Sequence, residues 1–182
     1  RKALHYYSMI RSGDKVLFAL RWDKPAESIE ALRIFRKAAS SFEPKISILC
    51  IDRLLNCDAV SKVIERIDPA LGASLIRVYI TNPSYVPRSF TESVKLLEYI
   101  AARAASKEKF DSIVIPVFRD EMFLFSFAGF VHVDKTLIGD SLPVKVGEEY
   151  RIVKPFFYVL GVDVAVLAYN DSLLRGSGRE LG

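Results

Sequence analysis

The sequence predicts a doubly wound, mostly parallel α/β domain with helices on both faces of one sheet. Three observations predict it. Compact apolar runs of strand length recur at 15–20, 46–51, 75–80 and 112–117, as buried strands do. Longer amphipathic stretches separate them, and strand–helix alternation builds βαβ units. A composition 51% hydrophobic and 12% aromatic over 182 residues supports one real core and excludes disorder. Residues 1–182 read as a single domain without repeat or linker, and 176–182 as a frayed tail.

The elements follow in order. Residues 1–10 read as a short helix or the tail of a longer one, broken by Ser12-Gly13-Asp14. The run 15–20 is the first buried strand and 21–25 a loop. Over 26–39, Ile29, Leu32, Phe35 and Ala39 recur at helical spacing, and Pro44 ends that segment. Ile46 to Ile51 form the second strand. Asn56 or Asp58 caps a helix reaching Asp68. A third strand spans 75–80, and two prolines make 82–88 an extended loop. Val94, Leu97, Ile100, Ala101 and Ala104 line one side of a helix over 90–105. The fourth strand is 112–117, followed by an apolar helix that Asp120 starts. Residues 139–147 read as loop and 151–153 as a short extended piece. The β-branched stretch 162–169 reads equally as helix or strand.

Net charge is +4 with a pI near 9.0, a mild bias toward polyanions. Basic residues cluster at Arg33, Arg36 and Lys37 and at Arg103, Lys107 and Lys109, mostly as solvated helix faces. Cys50 and Cys57 are too few for a disulfide framework, and no CxxC pair exists. With His5 and His132 the only histidines, neither a zinc site nor an iron–sulfur cluster is expected. No apolar run reaches the ~18 residues of a membrane span, and no signal peptide opens the chain. A cytoplasmic protein without a membrane partner is expected. In open parallel sheets ligands sit beyond the carboxyl ends of the strands. Residues 21–28, 52–56 and 117–121 are therefore the loops to watch.

Three stretches taken in order resemble the PP-loop ATPases, a Rossmann-like superfamily, and among them the tRNA 2-thiolation enzymes. Tyr7-Ser8-Met9-Ile10-Arg11-Ser12-Gly13-Asp14-Lys15-Val16-Leu17-Phe18-Ala19-Leu20 is similar to the family's helix, Gly-Asp turn and first strand. Phe110-Asp111-Ser112-Ile113-Val114-Ile115-Pro116-Val117-Phe118-Arg119-Asp120-Glu121 stands where the family has a strand and then Gly-His-Asn-x-Asp-Asp. Lys154-Pro155-Phe156-Phe157-Tyr158-Val159 resembles a Lys-Pro-Leu-x-Tyr-Val segment. The resemblance implies a loop of the pattern Ser-Gly-Gly-x-Asp-Ser that cradles ATP, and adenylation of a tRNA base before sulfur displaces AMP.

The chain departs from that pattern where the chemistry would lie. Two registers stand: Arg21-Trp22-Asp23-Lys24-Pro25-Ala26 on the motif, or, with two extra residues, Asp23-Lys24-Pro25-Ala26-Glu27-Ser28. The second is preferred, since it sets Glu27-Ser28 on Asp-Ser. Both lack the glycines that let backbone N–H groups approach phosphates. Two readings remain: ATP or AMP held by Lys24, Ser28 and the helix N-terminus, or a vestigial loop that caps a helix. Trp22 is either a stacking surface for a base or a plug in the vacated site. Cys50, Ile51 and Asp52 mark where the family reads adenine with backbone atoms. Asp120 and Glu121 keep an acidic pair, as ligands or as an ordinary helix cap. Cys50 reads as core and Cys57 as a cysteine without a thiol partner. No catalytic residue is assigned. The resemblance implies a degenerate, non-catalytic partner of an intact PP-loop paralogue, with tRNA as a second partner. An active adenylating enzyme with a divergent loop and a stand-alone adenine-nucleotide module are the competing readings. Phe-rich residues 122–130 favour a homodimer or a helix buried on all sides.

Overall fold

A computed structural model describes residues 2–52, 54–72, 74–79, 87 and 89–170. Ile80, the loop 82–88 apart from Pro87, and the tail 176–182 lie outside the described residues. The elements are α1 (Lys2–Tyr6), β1 (Lys15–Ala19), α2 (Pro25–Ala39), β2 (Lys45–Asp52), α3 (Cys57–Ile67), α4 (Pro69–Gly72), β3 (Leu75–Tyr79), α5 (Phe90–Glu108), β4 (Ser112–Val114), α6 (Arg119–His132), α7 (Lys135–Asp140), β5 (Val144–Val146), β6 (Arg151–Val153) and α8 (Gly161–Asn170). The six strands form one sheet in the order β3-β2-β1-β4-β6-β5. Every pair is parallel except β5 with β6. The doubly wound, mostly parallel α/β fold read from the sequence is the one observed.

Alternation along each central strand produces the two-sided core. Val16 and Phe18 of β1 and Ile48 and Cys50 of β2 bury against α2, α3 and α8. Leu17 and Ala19, with Leu49 and Ile51, bury on the opposite face against α5 and α6. A pleat that sends successive side chains to opposite faces requires this when both faces are covered. The helix starts are specified locally. Asn56 Oδ1 accepts the N–H of Ala59 at 3.1 Å, so Asn56 rather than Asp58 caps α3. Ser89 Oγ does the same for Glu92 at 3.2 Å on α5. Gly13, at φ +77°, makes the turn into β1, a conformation side chains with a Cβ resist.

Some elements differ from expectation. β5 lies in the stretch predicted as loop; three residues in a sheet edge leave no run to detect. α4 and α7 are too short to show a helical period in the sequence. The ambiguous stretch near the end is helical: α8 packs Val164 and Ala168 into the core. α6 is not buried on all sides. Met122 and Phe125 are covered, whereas Phe123, Phe127 and Phe130 are exposed. Among the described residues no helix is long and apolar enough to cross a membrane.

Cys57 does have a thiol partner, contrary to expectation. Cys50 and Cys57 form a disulfide, with Cα atoms 6.0 Å apart, and both residues are fully buried. The chain doubles back after β2, where the Ile51 carbonyl accepts the N–H groups of Leu54 and Leu55. This brings the first residue of α3 beside the strand, a closeness that the spacing of seven residues does not announce. Closing so short a loop stabilises by roughly 2–3 kcal/mol. Cys50→Ala with Cys57→Ala is expected to lower Tm by roughly 5–10 °C. Thermal denaturation checks this; an unchanged Tm would remove the bond from the account of stability.

Candidate functional site

The chain leaves β1 toward β2 on one side, while β4, on the other side of β1, pairs onward with β6. Loops following β1 and β4 therefore diverge, and a crevice opens at their carboxyl ends. Arg21, two residues beyond β1, enters it. Its side chain is only 1% exposed, and a buried charge persists only with partners. It makes four hydrogen bonds. Nε donates to Asp23 Oδ1 at 3.0 Å, and Nη2 to Asp23 Oδ2 at 2.6 Å. Nη1 donates to Glu121 Oε2 at 2.6 Å and to the Pro116 carbonyl at 3.2 Å. The guanidinium also lies 5.2 Å from the centre of the Phe90 ring, within cation–π range.

Glu121 completes the cluster. Its Oε1 pairs with Lys24 Nζ at 2.8 Å, and Oε2 accepts the Phe118 N–H at 3.0 Å. Glu121 is thus the third residue of α6 capping the helix start, as Glu does in a capping box. The result is two cations and two carboxylates whose charges cancel. Burial alone would lower the Arg21 pKa, but hydrogen bonds to Asp23 and the attraction of Glu121 outweigh it and raise the pKa. The planar fork of arginine suits this bidentate arrangement, which lysine would not reproduce.

The start of α2 is equally committed. Pro25 is its first residue and carries no N–H. Ser28 Oγ accepts the backbone N–H of Arg21 at 3.1 Å, and Ser28 N–H donates to the Lys24 carbonyl. The hydroxyl that the resemblance offers to ATP therefore fixes the backbone of Arg21. Trp22 is half-buried and packs against both halves of the core.

Of the residues singled out in the sequence, the fold gathers Arg21, Asp23, Lys24, Ser28 and Glu121 and disperses the others. Asp120 caps neither its own helix nor the crevice. Its Oδ1 accepts the N–H of Gly161 at 2.8 Å, tying α6 to the start of α8. Phe118 is the residue preceding α6, so Asp120 sits too far inside to be the N-cap expected of it. The side chains of Cys50 and Ile51 face opposite halves of the core, and Asp52 is half-buried at the end of β2. Among the described residues no hydrogen bond or ion pair links Asp52 to the Arg21 cluster.

A second charged network went unread in the sequence. Lys154, which follows β6, is fully buried. Its Nζ lies 2.8 Å from Glu98 Oε1 and 2.6 Å from the Asp140 carbonyl. Lys145 pairs with Glu98 at 2.8 Å and also with the Asp140 carboxylate. Burial lowers the Lys154 pKa. Burial works against Lys145 too, but hydrogen bonds to Asp140 and Glu98 prevail and raise its pKa. The signal was a lysine directly after the apolar Ile152-Val153 of a strand. Only its partners, on α5, α7 and β5, were beyond sequence reach.

No family profile matches this sequence, and no curated protein does. A solved structure does: the U34-tRNA thiolase NcsA from Methanococcus maripaludis with its [4Fe-4S] cluster. The TM-score is 0.65 at 13% identity, over 96% of this chain and 61% of that one. This chain therefore spans about three fifths of the thiolase's length. The cluster belongs to that protein. Such clusters are held by thiolates, and the two cysteines here are joined to each other, so this donor set does not fit one. In the crevice Asp23 and Glu121 are already paired with Arg21 and Lys24, and Pro25 offers no backbone N–H. What the comparison carries is architecture: this chain has a mostly parallel α/β fold like that of the thiolase.

Proposed function

We propose that this chain is a non-catalytic relative of the PP-loop tRNA-thiolation enzymes, a tRNA-docking or subunit scaffold working beside an intact paralogue. One observation carries the reading. The crevice at the switch point is filled by the closed ion cluster of Arg21, Asp23, Lys24 and Glu121. A phosphate-cradling loop works through unencumbered backbone N–H groups, and here side chains of both signs satisfy one another instead. On this reading neither ATP nor AMP is a resident cofactor, and the chain holds no iron–sulfur cluster and no zinc.

The partner half of the proposal draws on α6. Phe123 and Phe127 stack with ring centres 6.0 Å apart, and both are more than half exposed. Phe130 continues the exposed row at 75%. Contiguous apolar surface of this kind marks association, with an intact paralogue or with a second copy of this chain. A net charge of +4 supports the RNA half. A tRNA role implies the cytoplasm, a reducing compartment in most cells. Burial of both sulfurs is what would shield the disulfide from thiol attack there.

Lys24 favours the competing reading, an adenylating enzyme with a divergent loop, because its side chain is 33% exposed at the start of α2. Turnover separates the two. With an unmodified tRNA transcript, ATP and Mg²⁺, the chain is expected to bind the transcript and release neither AMP nor pyrophosphate. Pyrophosphate formed with each transcript modified, and abolished by Lys24→Ala, would make the chain an enzyme.

A further inference from the structure

The sheet ends at β3, and the space between this edge strand and α5 is a groove of about 550 Å³. Its floor is apolar, formed by Ile76, Val78, Leu96 and Ile100. Its rim is not. Tyr99, Arg103 and Lys107 follow one another at four-residue spacing on α5, so they share one face about 6 Å apart. Tyr99 is 58% exposed. The Arg103 guanidinium lies 5.8 Å from the centre of its ring and donates to its hydroxyl at 3.2 Å. Arg77 and Tyr79 alternate with Ile76 and Val78 along β3 and so project from the other face of the sheet. Arg77 is held by Asp58 at 2.7 Å. Two cations, Arg103 and Lys107, thus face the groove against one acid, Glu108.

We propose that this groove binds a single-stranded RNA segment, its bases on Tyr99 and the apolar floor and its phosphates along Arg103 and Lys107. Stacking faces interleaved with cations are what an unpaired strand requires, because every base has a π-face and every linkage an anion. A purely apolar partner would leave Arg103 and Lys107 uncompensated, and a duplex hides the base faces that Tyr99 would meet. The groove lies at the sheet edge, away from the Arg21 cluster, so RNA can dock without the nucleotide chemistry. The inference rests on the RNA-docking reading above and assigns it a surface.

Fluorescence anisotropy with a labelled single strand of about 12 nucleotides, and with the same strand annealed to its complement, tests this on the full chain. The expected result is tighter binding of the single strand, weakened at least about tenfold by Tyr99→Ala. Lys107→Ala is expected to reduce the salt slope by about one. Both residues are exposed, and circular dichroism of each variant confirms that it folds. If the chain binds the strand but Tyr99→Ala and Lys107→Ala bind equally well, the groove is wrong while RNA docking survives. If the parent chain binds no RNA even at low salt, both fall. Equal affinity for the duplex overturns the stacking platform. So does self-association that the variants abolish while RNA binding is unchanged, which would give the β3 edge to a second copy.

Discussion

Replacing Arg21 by alanine is expected to cost about 3–5 kcal/mol of folding stability, the range for breaking a buried ion pair from one side. Three groups lose their partner together. Glu121, 4% exposed, keeps only Lys24 and the Phe118 N–H. Asp23 loses both of its hydrogen bonds, and the Pro116 carbonyl loses its donor. The cause is the stranded carboxylate rather than the missing arginine, and this has a consequence. Arg21→Met combined with Glu121→Met removes both charges and leaves apolar groups of similar volume. The double variant is expected to recover most of the loss, as replaced buried pairs often do. Arg21→Lys is expected to recover little, since one ammonium cannot reach Asp23 and Glu121 as the fork does. Urea unfolding of the parent, Arg21→Met, Glu121→Met and the double variant gives the cycle. Additive losses would show that Arg21 and Glu121 act separately.

Glu98→Gln carries the second large effect, again about 3–5 kcal/mol at neutral pH. Glu98 is the carboxylate that Lys154 and Lys145 share, and without its charge Lys154 stays buried beside a backbone carbonyl. The pH dependence has a definite sign. Burial already holds the folded Lys154 pKa below the ordinary 10.5, and loss of Glu98 depresses it further. Between the folded pKa and about 10.5 the unfolded chain binds more protons, so stability rises with pH in that window. The variant's deficit is therefore largest near neutrality and narrows as the pH climbs toward 10. Lys145, whose folded pKa is raised by Asp140 and Glu98, contributes in the opposite sense and only above 10.5. A deficit constant from pH 7 to pH 10 would exclude Lys154 as the group responsible.

The fold was legible because its signals are local. Strands such as Val16-Leu17-Phe18-Ala19 and Ile48-Leu49-Cys50-Ile51 are apolar at every position, and a sheet covered on both faces leaves few other homes for them. The helices between them carry apolar stripes of the right period. What escaped was short or non-local. β5 and α7 are held by neighbours distant in sequence rather than by their own pattern. The disulfide depends on a turn that only the Ile51 carbonyl reveals. At the crevice the sequence exposed the lost glycines and the oddity of Arg21-Trp22-Asp23-Lys24 but not what replaced the phosphate. Arg21 and Glu121 stand 100 residues apart, and their pairing is a property of the switch point. Asp120 and Glu121, adjacent in sequence, serve different helices because successive residues on a helix point about 100° apart.

The central claim is that the crevice between β1 and β4 is closed by its own charges. Isothermal titration of the folded chain with ATP and Mg²⁺, repeated with AMP, tests it most directly. The expected result is no saturable heat with either nucleotide, for the parent chain and for Lys24→Ala alike. Saturable binding of ATP that Lys24→Ala abolishes would mean that the cluster opens to admit a triphosphate, and would contradict the account.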